Sequence, residues 1–472
     1  MLFNSLGFLI FLPTVFLLYW FVFKKSLLTQ NIFILAVSYL FYAWWDWRFL
    51  LLLILSTLLD YAFGLLLAST RHKKLYFWLS VVNNLSILGF FKYYNFFADS
   101  ASELLRQMGF QTNPYFLSIA LPVGISFYTF HGMSYVFDIY NGKIKPIKNF
   151  IHYAVFVCFF PLLVAGPIER ASHLLPQVEK KRIFSYGQAV EGMRLMLWGF
   201  FKKVVIADTL AADVNLIFNN YKEYNGSTLL LGAIYFSIQI YCDFSGYTDI
   251  ALGAAKLFGF ELLTNFRFPY FSRNIAEFWR RWHISLSSWF KDYLYIPLGG
   301  SKEGKWKAVR NTFIIFLVSG FWHGANWTFI FWGLIHALLF LPLLLSNKNR
   351  NYTGHIVAAD KKIPGAQELL QMLLTFSLVT IAWIFFRSPN IYDAFDYIGG
   401  IGDSFFTVPA YYNQLVYVFI FLWLDWMQRR NERCVLEFKN KYVRRFVYFV
   451  FAMLIIFHFN FINRAEFIYF QF

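Results

Sequence analysis

The sequence predicts an all-α, polytopic membrane protein, and three observations predict it. Of the 472 residues, 58% are hydrophobic and only 14% are charged, where soluble domains carry about 25% charge. Apolar runs recur along the chain, among them LGFLIFLPTVFLLYWFVF (Leu6–Phe23), LLLLILSTLLDYAFGLLLA (Leu50–Ala68) and FVYFVFAMLIIFHFNFI (Phe446–Ile462). Each is close to the roughly 20 residues that a helix needs to cross a bilayer about 30 Å thick. Lysine and arginine gather in the short connections between runs, as in RHKK (Arg71–Lys74), KIKPIK (Lys143–Lys148) and KEGKWKAVR (Lys302–Arg310).

Because basic loops stay in the cytoplasm, these connections order the elements. The first helix starts outside and ends at Lys24. The second runs outward to WWDWR (Trp44–Arg48), and the third returns to Arg71. Leu75–Phe97 goes out and Phe116–Ile139 comes back. Later helices are Leu229–Cys242, Leu369–Phe386, Gln414–Trp426 and Phe446–Ile462. Ile151–Ala165 is too short for two crossings, and Glu191–Ile206 is interrupted by Arg194, Lys202 and Lys203. Both read as re-entrant or interfacial helices, a form tolerated where protein or a cavity covers the backbone. The expectation is about 11 crossings plus partial helices, in a single domain over residues 1–472 without internal repeats. The first run lacks a basic n-region and a small-residue cleavage site, so it stays as a helix.

The net charge of +16 reports topology and contact with anionic membrane lipid rather than nucleic acid. Cys158, Cys242 and Cys434 are widely separated, and neither they nor the histidines show metal-ligand spacing.

Two stretches carry candidate chemistry. Around VSGFWHGANWTFIFWGLIH (Val318–His336), the stretch between the cytoplasmic Arg310 and Asn347–Arg350 is long enough for a helical hairpin that goes in and comes back. Its break falls near Gly320–Asn326, which puts His323 at the turn. An ionisable residue at membrane depth is costly and points to function, and imidazole suits proton transfer near neutral pH. A structural histidine bonded to a helix carbonyl fits equally well; Asn326 and Trp327 follow closely enough to orient the ring. In AEFWRRWHISLSSWFKDYLYIPLGGSKEGK (Ala276–Lys305), Arg280, Arg281, His283 and Lys291 alternate with Trp279, Trp282 and Trp289. Such a segment lies at the cytoplasmic interface, as a plain surface element or as a cradle for an anionic donor. Glu169 and Arg170 at a membrane edge are either an ion pair or turn, or lining of a cavity, and Asp243 and Asp249 in an apolar setting are either acid/base groups or partners of nearby arginines.

Taken together, YYNFF (Tyr93–Phe97), LPVGISFYTFHGMSYVFDIY (Leu121–Tyr140), VAGPIER, YCDFSGYTDIALG, NFRFPYFSRNIAEFWRRWHISLSSWFKDYLYIPLGG, GFWHGANWTFIFWGLIHA and FIYFQF resemble the membrane-bound O-acyltransferase family. The similarity is to its bacterial branch of polysaccharide O-acetyltransferases, WRRWHISLSSWF looking like the alginate-acetylating members. The resemblance implies a ring of tilted helices around a central funnel or tunnel in the bacterial cytoplasmic membrane. It implies that His323 is the intramembrane catalytic histidine and His283 the second one, with Arg280, Arg281, Trp282, Lys291, Trp322 and Asn326 in donor binding or support. It further implies an acyl thioester donor, most naturally acetyl-CoA, no bound cofactor or metal, a cell-surface polysaccharide acceptor and an extracytoplasmic acetyltransferase partner. D-alanyl transfer to teichoic acid and peptidoglycan O-acetylation are rivals within the family. A membrane transporter is the rival from another class, since broken helices with polar residues also mark transporters. The charge rule places His283 near the cytoplasmic surface and His323 away from it.

Overall fold

Helix is the only regular structure among the described residues, which are 1–112, 116–117, 120–354, 356–431, 435–460 and 467–470 of this computed structural model. Helices satisfy their own amides, as a hydrocarbon environment requires. Cys434 and His355 lie outside the described residues. The chain divides into two compact units, Met1–Tyr186 with Ala255–Leu262, and Gly187–Ala254 with Leu263–Phe472.

The first unit opens with α1 (Leu6–Leu17), α2 (Leu27–Ala43) and α3 (Trp47–Ser69), capped by Ser5, Ser26 and Asp46 side chains that accept amide protons of the first turn. Next come α4 (Lys73–Leu88), α5 (Tyr94–Gln107) and α6 (Ile125–Tyr140). The buried Asp60 of α3 is satisfied by α4, accepting from Ser80 Oγ at 2.9 Å and Asn84 Nδ2 at 2.7 Å. The stretch 151–165 forms two short buried helices, α7 (Phe150–Cys158) and α8 (Phe160–Ala165), followed by α9 (Ala171–Val178). At the start of α9, the Glu169 amide donates to His131 Nε2 at 3.1 Å, and the Glu169 carboxylate meets His173 Nδ1 at 2.8 Å. Glu169 is thereby tied to two histidines.

In the second unit, α10 (Tyr186–Phe200) continues through a π-helical segment, Phe201–Ala207, into α11 (Asp208–Asn219). Lys202 and Lys203 therefore do not interrupt the helix, contrary to the sequence expectation. The wider π-turn leaves both buried among carboxylates. Lys202 Nζ lies 2.7 Å from Asp249 and 2.8 Å from Ser245 Oγ; Lys203 Nζ lies 2.5 Å from Asp243 and 2.7 Å from Asp208. Asp243 and Asp249 belong to α12 (Gly226–Leu257), which runs well past its expected end at Cys242. They are ion-pair partners of the two lysines, and removing one partner of such a buried pair typically costs about 3–5 kcal/mol.

The short helices α13 (Ile275–Arg281) and α14 (Ile284–Phe290) precede the hairpin of α15 (Lys305–His323) and α16 (Trp327–Leu345). The hairpin is closed by glycine. A Cβ on Gly320 would stand 2.2 Å from the Phe329 carbonyl, and one on Gly333 would stand 2.3 Å from that of Phe316. Small residues allow this approach of backbones, as in membrane helix pairs generally. The unit is completed by α17 (Ala366–Arg387), α18 (Ile391–Gly400), α19 (Leu415–Gln428) and α20 (Lys441–His458). Among the described residues, α3, α12, α16 and α17 are long and apolar enough to cross a membrane by themselves, and the Leu6–Val22 and Leu27–Ala43 helices are shorter apolar ones. Length and hydropathy thus give four spans and two shorter candidates where the sequence suggested about eleven. The other apolar segments are too short or too polar to meet the same measure.

Candidate active site

The hairpin turn delivers His323 as the last residue of α15. Gly324 follows in extended backbone, and Asn326 opens α16 by accepting the Thr328 amide at 3.0 Å. The break thus falls within the expected window. His323 is buried in a cage of rings: Trp322 at 5.0 Å, Trp332 at 5.1 Å, Phe386 at 5.4 Å and Tyr469 at 5.5 Å between centroids.

The charge-rule expectation separates His283 from His323 in depth. The fold instead brings their ring centroids to 6.4 Å. His283 sits between α13 and α14 with φ 44° and ψ 53°, a left-handed conformation uncommon for a residue with a side chain. Strain of this kind persists where surrounding contacts enforce it. Here Asn265 enforces it. Its carbonyl accepts the Ile284 amide at 2.9 Å, and its Oδ1 meets Ser285 Oγ at 2.8 Å, the Ser285 amide at 3.3 Å and His283 Nδ1 at 3.1 Å.

That geometry fixes the imidazole tautomer. An atom that accepts a backbone N–H must be the amide oxygen of Asn265, so His283 Nδ1 must donate to it. Nε2 then carries a lone pair. It is buried with no hydrogen-bond partner among the described residues. Burial pushes the pKa of His283 down, to about 3, so the ring is neutral at physiological pH. Phe244, with its centroid 4.7 Å away and its plane at 84°, holds the ring edge-on.

A cavity of about 830 Å³ lies in the same unit. Arg280, Lys291, Tyr295 and Arg350 line it together with Phe316 and Ser319. Ser319 precedes His323 by one helical turn and shares its face of α15. Of its basic residues, Arg350 belongs to a loop that the charge rule assigns to the cytoplasm, while Arg280 lies in α13 and Lys291 just after α14.

The other sequence candidates separate. Arg280 and Lys291 line the cavity, and Arg280 also ties the following loop, donating to Asn349 O at 2.7 Å and Asn351 O at 2.6 Å. Arg281 faces another way and pairs with buried Glu277 at 3.0 Å, which also holds Arg273 at 3.0 Å. Trp282 packs between Phe278 and Trp383. Asn326 serves as a cap and donates to Pro389 O at 2.9 Å. Trp322 does belong to the site, against both histidines.

Three neighbours escaped the sequence reading. Asn265 and Tyr469 lie in stretches quoted above for their resemblance, yet nothing local joins them to a histidine. The third is His336, whose Nδ1 meets Trp279 Nε1 at 3.2 Å. It packs on Trp332, the same indole that flanks His323.

Comparison with known proteins identifies the family. The family model for MBOAT, the membrane-bound O-acyltransferase family, matches residues 140–353. The "Probable alginate O-acetylase AlgI" of Pseudomonas aeruginosa is 41% identical over 398 residues, covering 83% of this chain and 73% of that protein. The "Peptidoglycan O-acetyltransferase" of Helicobacter pylori is 35% identical over 433 residues, covering 85% and 80%. The "Teichoic acid D-alanyltransferase" of Bacillus subtilis is 29% identical over 278 residues, covering 56% and 68%. A multi-pass membrane chain with this degree of similarity over most of its length belongs to the membrane-bound O-acyltransferase family and is an O-acyltransferase.

Proposed function

We propose that this enzyme takes an acetyl group from a cytoplasmic thioester, acetyl-CoA, and passes it through the bacterial cytoplasmic membrane for O-acetylation of a cell-surface polysaccharide. The carrying observation is the histidine pair in its aromatic cage, one helical turn from a cavity rimmed by cations. Acetyl rather than D-alanyl transfer is favoured because the two O-acetyltransferases match over more than four-fifths of the chain, and the D-alanyltransferase over 56%. Of the two acetylation acceptors, the polysaccharide is favoured by the higher identity, 41% against 35%.

In this reading Arg280, Lys291 and Arg350 bind the phosphates of the donor, and the acetyl thioester extends along Ser319 toward His323. His323 takes the proton of an acceptor hydroxyl as its oxygen bonds to the carbonyl carbon. The C–S bond breaks, and the imidazolium returns the proton to the leaving thiolate. Such a base contributes roughly 10²–10⁴-fold. The tautomer of His283 makes Nε2 an acceptor, so this ring orients the donor by receiving one of its amide N–H groups rather than by polarising the carbonyl. A separate extracytoplasmic protein completes transfer to the polymer.

The test has two arms. Cells lacking this chain lose O-acetyl groups from a surface polysaccharide, read by mass analysis of purified glycans; unchanged acetyl content overturns the assignment. With purified protein, Lys291→Glu combined with Arg350→Glu raises KM for acetyl-CoA about tenfold, the size of about 1.4 kcal/mol, with little change in kcat. An unchanged KM removes the cavity as the donor site.

A further inference from the structure

Asp243 is not only the partner of Lys203. Its second oxygen, Oδ2, accepts the backbone amide of Ile468 at 2.7 Å, a hydrogen bond between residues 225 positions apart. Around that bond, one face of α12 receives the segment 467–469. Phe467 packs on Phe244 and Tyr247 with centroids 5.7 Å and 4.5 Å away, and Tyr469 packs on Phe244 at 4.5 Å. Phe467 and Ile468 are buried. The same Phe244 ring holds His283 edge-on, and Tyr469 closes the site with centroids 5.5 Å from His323 and 6.4 Å from His283.

These contacts form one chain of cause. The ammonium of Lys203, itself held by Asp208, compensates the carboxylate charge of Asp243. A compensated, ionised acceptor makes a stronger and more directional bond to a backbone amide than a neutral one. That bond sets where residue 468 lies, and the next residue supplies the ring that packs against both imidazoles. We propose that Asp243, backed by Lys203, is a positioning residue for acyl transfer: it docks the segment around Ile468 on α12 and so seats Tyr469 against His323 and His283.

The inference rests on the reading of those histidines as the transfer site, and two measurements separate it from that reading. Hydrogen exchange of a peptide spanning 467–470 reports the docking directly. Steady-state acetyl transfer from acetyl-CoA reports its effect. In Asp243→Ala the peptide exchanges fast and kcat falls about tenfold to a hundredfold, the scale for a misplaced reacting geometry. KM for acetyl-CoA stays put, because the donor cavity is built from other elements. Ile468→Pro removes the donor N–H, leaves every ion pair intact and lies at the first position of a short 3₁₀ turn, where proline is accepted. It reproduces both effects and carries the test should Asp243→Ala fail to fold. Protected exchange in Ile468→Pro, or fast exchange with a kcat like that of the unmodified enzyme, overturns the proposal. A fully active His323→Ala would overturn the transfer-site reading instead, while the exchange data still decide the docking.

Discussion

His323→Ala lowers kcat/KM for acetyl transfer by about a thousandfold, equivalent to about 4 kcal/mol of transition-state stabilisation. The size follows from the surroundings. Trp322, Trp332, Phe386 and Tyr469 all present ring surfaces to this imidazole, so no other ionisable group among these neighbours substitutes for it near neutral pH. Loss of the ring also leaves a gap in an aromatic cluster, and truncation of a large buried side chain destabilises by about 3–5 kcal/mol. Activity must therefore be read at equal amounts of folded protein, with the thermal midpoint in detergent measured alongside. His323→Gln, which retains most of the volume, separates packing from chemistry. Near-normal turnover in His323→Gln refutes a proton-transfer role.

The second large effect is at His283. Asparagine tolerates left-handed backbone far better than most residues, so His283→Asn preserves the φ of 44° and removes the Nε2 acceptor. Turnover falls about a hundredfold while the fold persists. Asn265→Ala reaches a similar end by another route. It strips the acceptor from His283 Nδ1 and from the Ser285 hydroxyl and amide, and an unsatisfied buried donor costs about 1–3 kcal/mol. With no acceptor left at Nδ1, nothing holds the proton there, and the tautomer with the proton on Nε2, which lacks the acceptor, becomes populated. The double variant is then no worse than His283→Asn alone, because both act on the same lone pair. Additive losses in this cycle show that Asn265 acts independently of the tautomer.

What the sequence revealed depended on how local each feature is. The hairpin carrying His323 was legible because its breakers, Gly320, Gly324 and Asn326, lie within a few residues of it, between two runs of positive charge. The chemistry of Arg280 and Arg281 was not separable in sequence. Adjacent positions on a helix point about 100° apart, and only the fold shows one reaching the cavity and the other reaching Glu277. Asn265 and Tyr469 escaped notice because irregular backbone or long chain separation joins them to the histidines. The Lys202–Lys203 pair misled in a physical way: consecutive charges normally mark a helix end at water, and a π-turn beside an acidic helix is an arrangement that no periodicity announces. The expected separation of His283 from His323 failed for a related reason, since charge rules place loops and cannot see that α13 and α14 are buried short helices packed beside the hairpin turn.

The two buried ion pairs also bear on biogenesis. The stretch through α10 and α11 carries the cations, and α12, the next long helix in the chain, carries Asp243 and Asp249. A lone charge near the centre of a helix leaving the translocon opposes insertion by about 2.5–3.5 kcal/mol. The charges of the two stretches are compensated only when Lys202 meets Asp249 and Lys203 meets Asp243, so neither stretch reaches its buried place at low cost without the other.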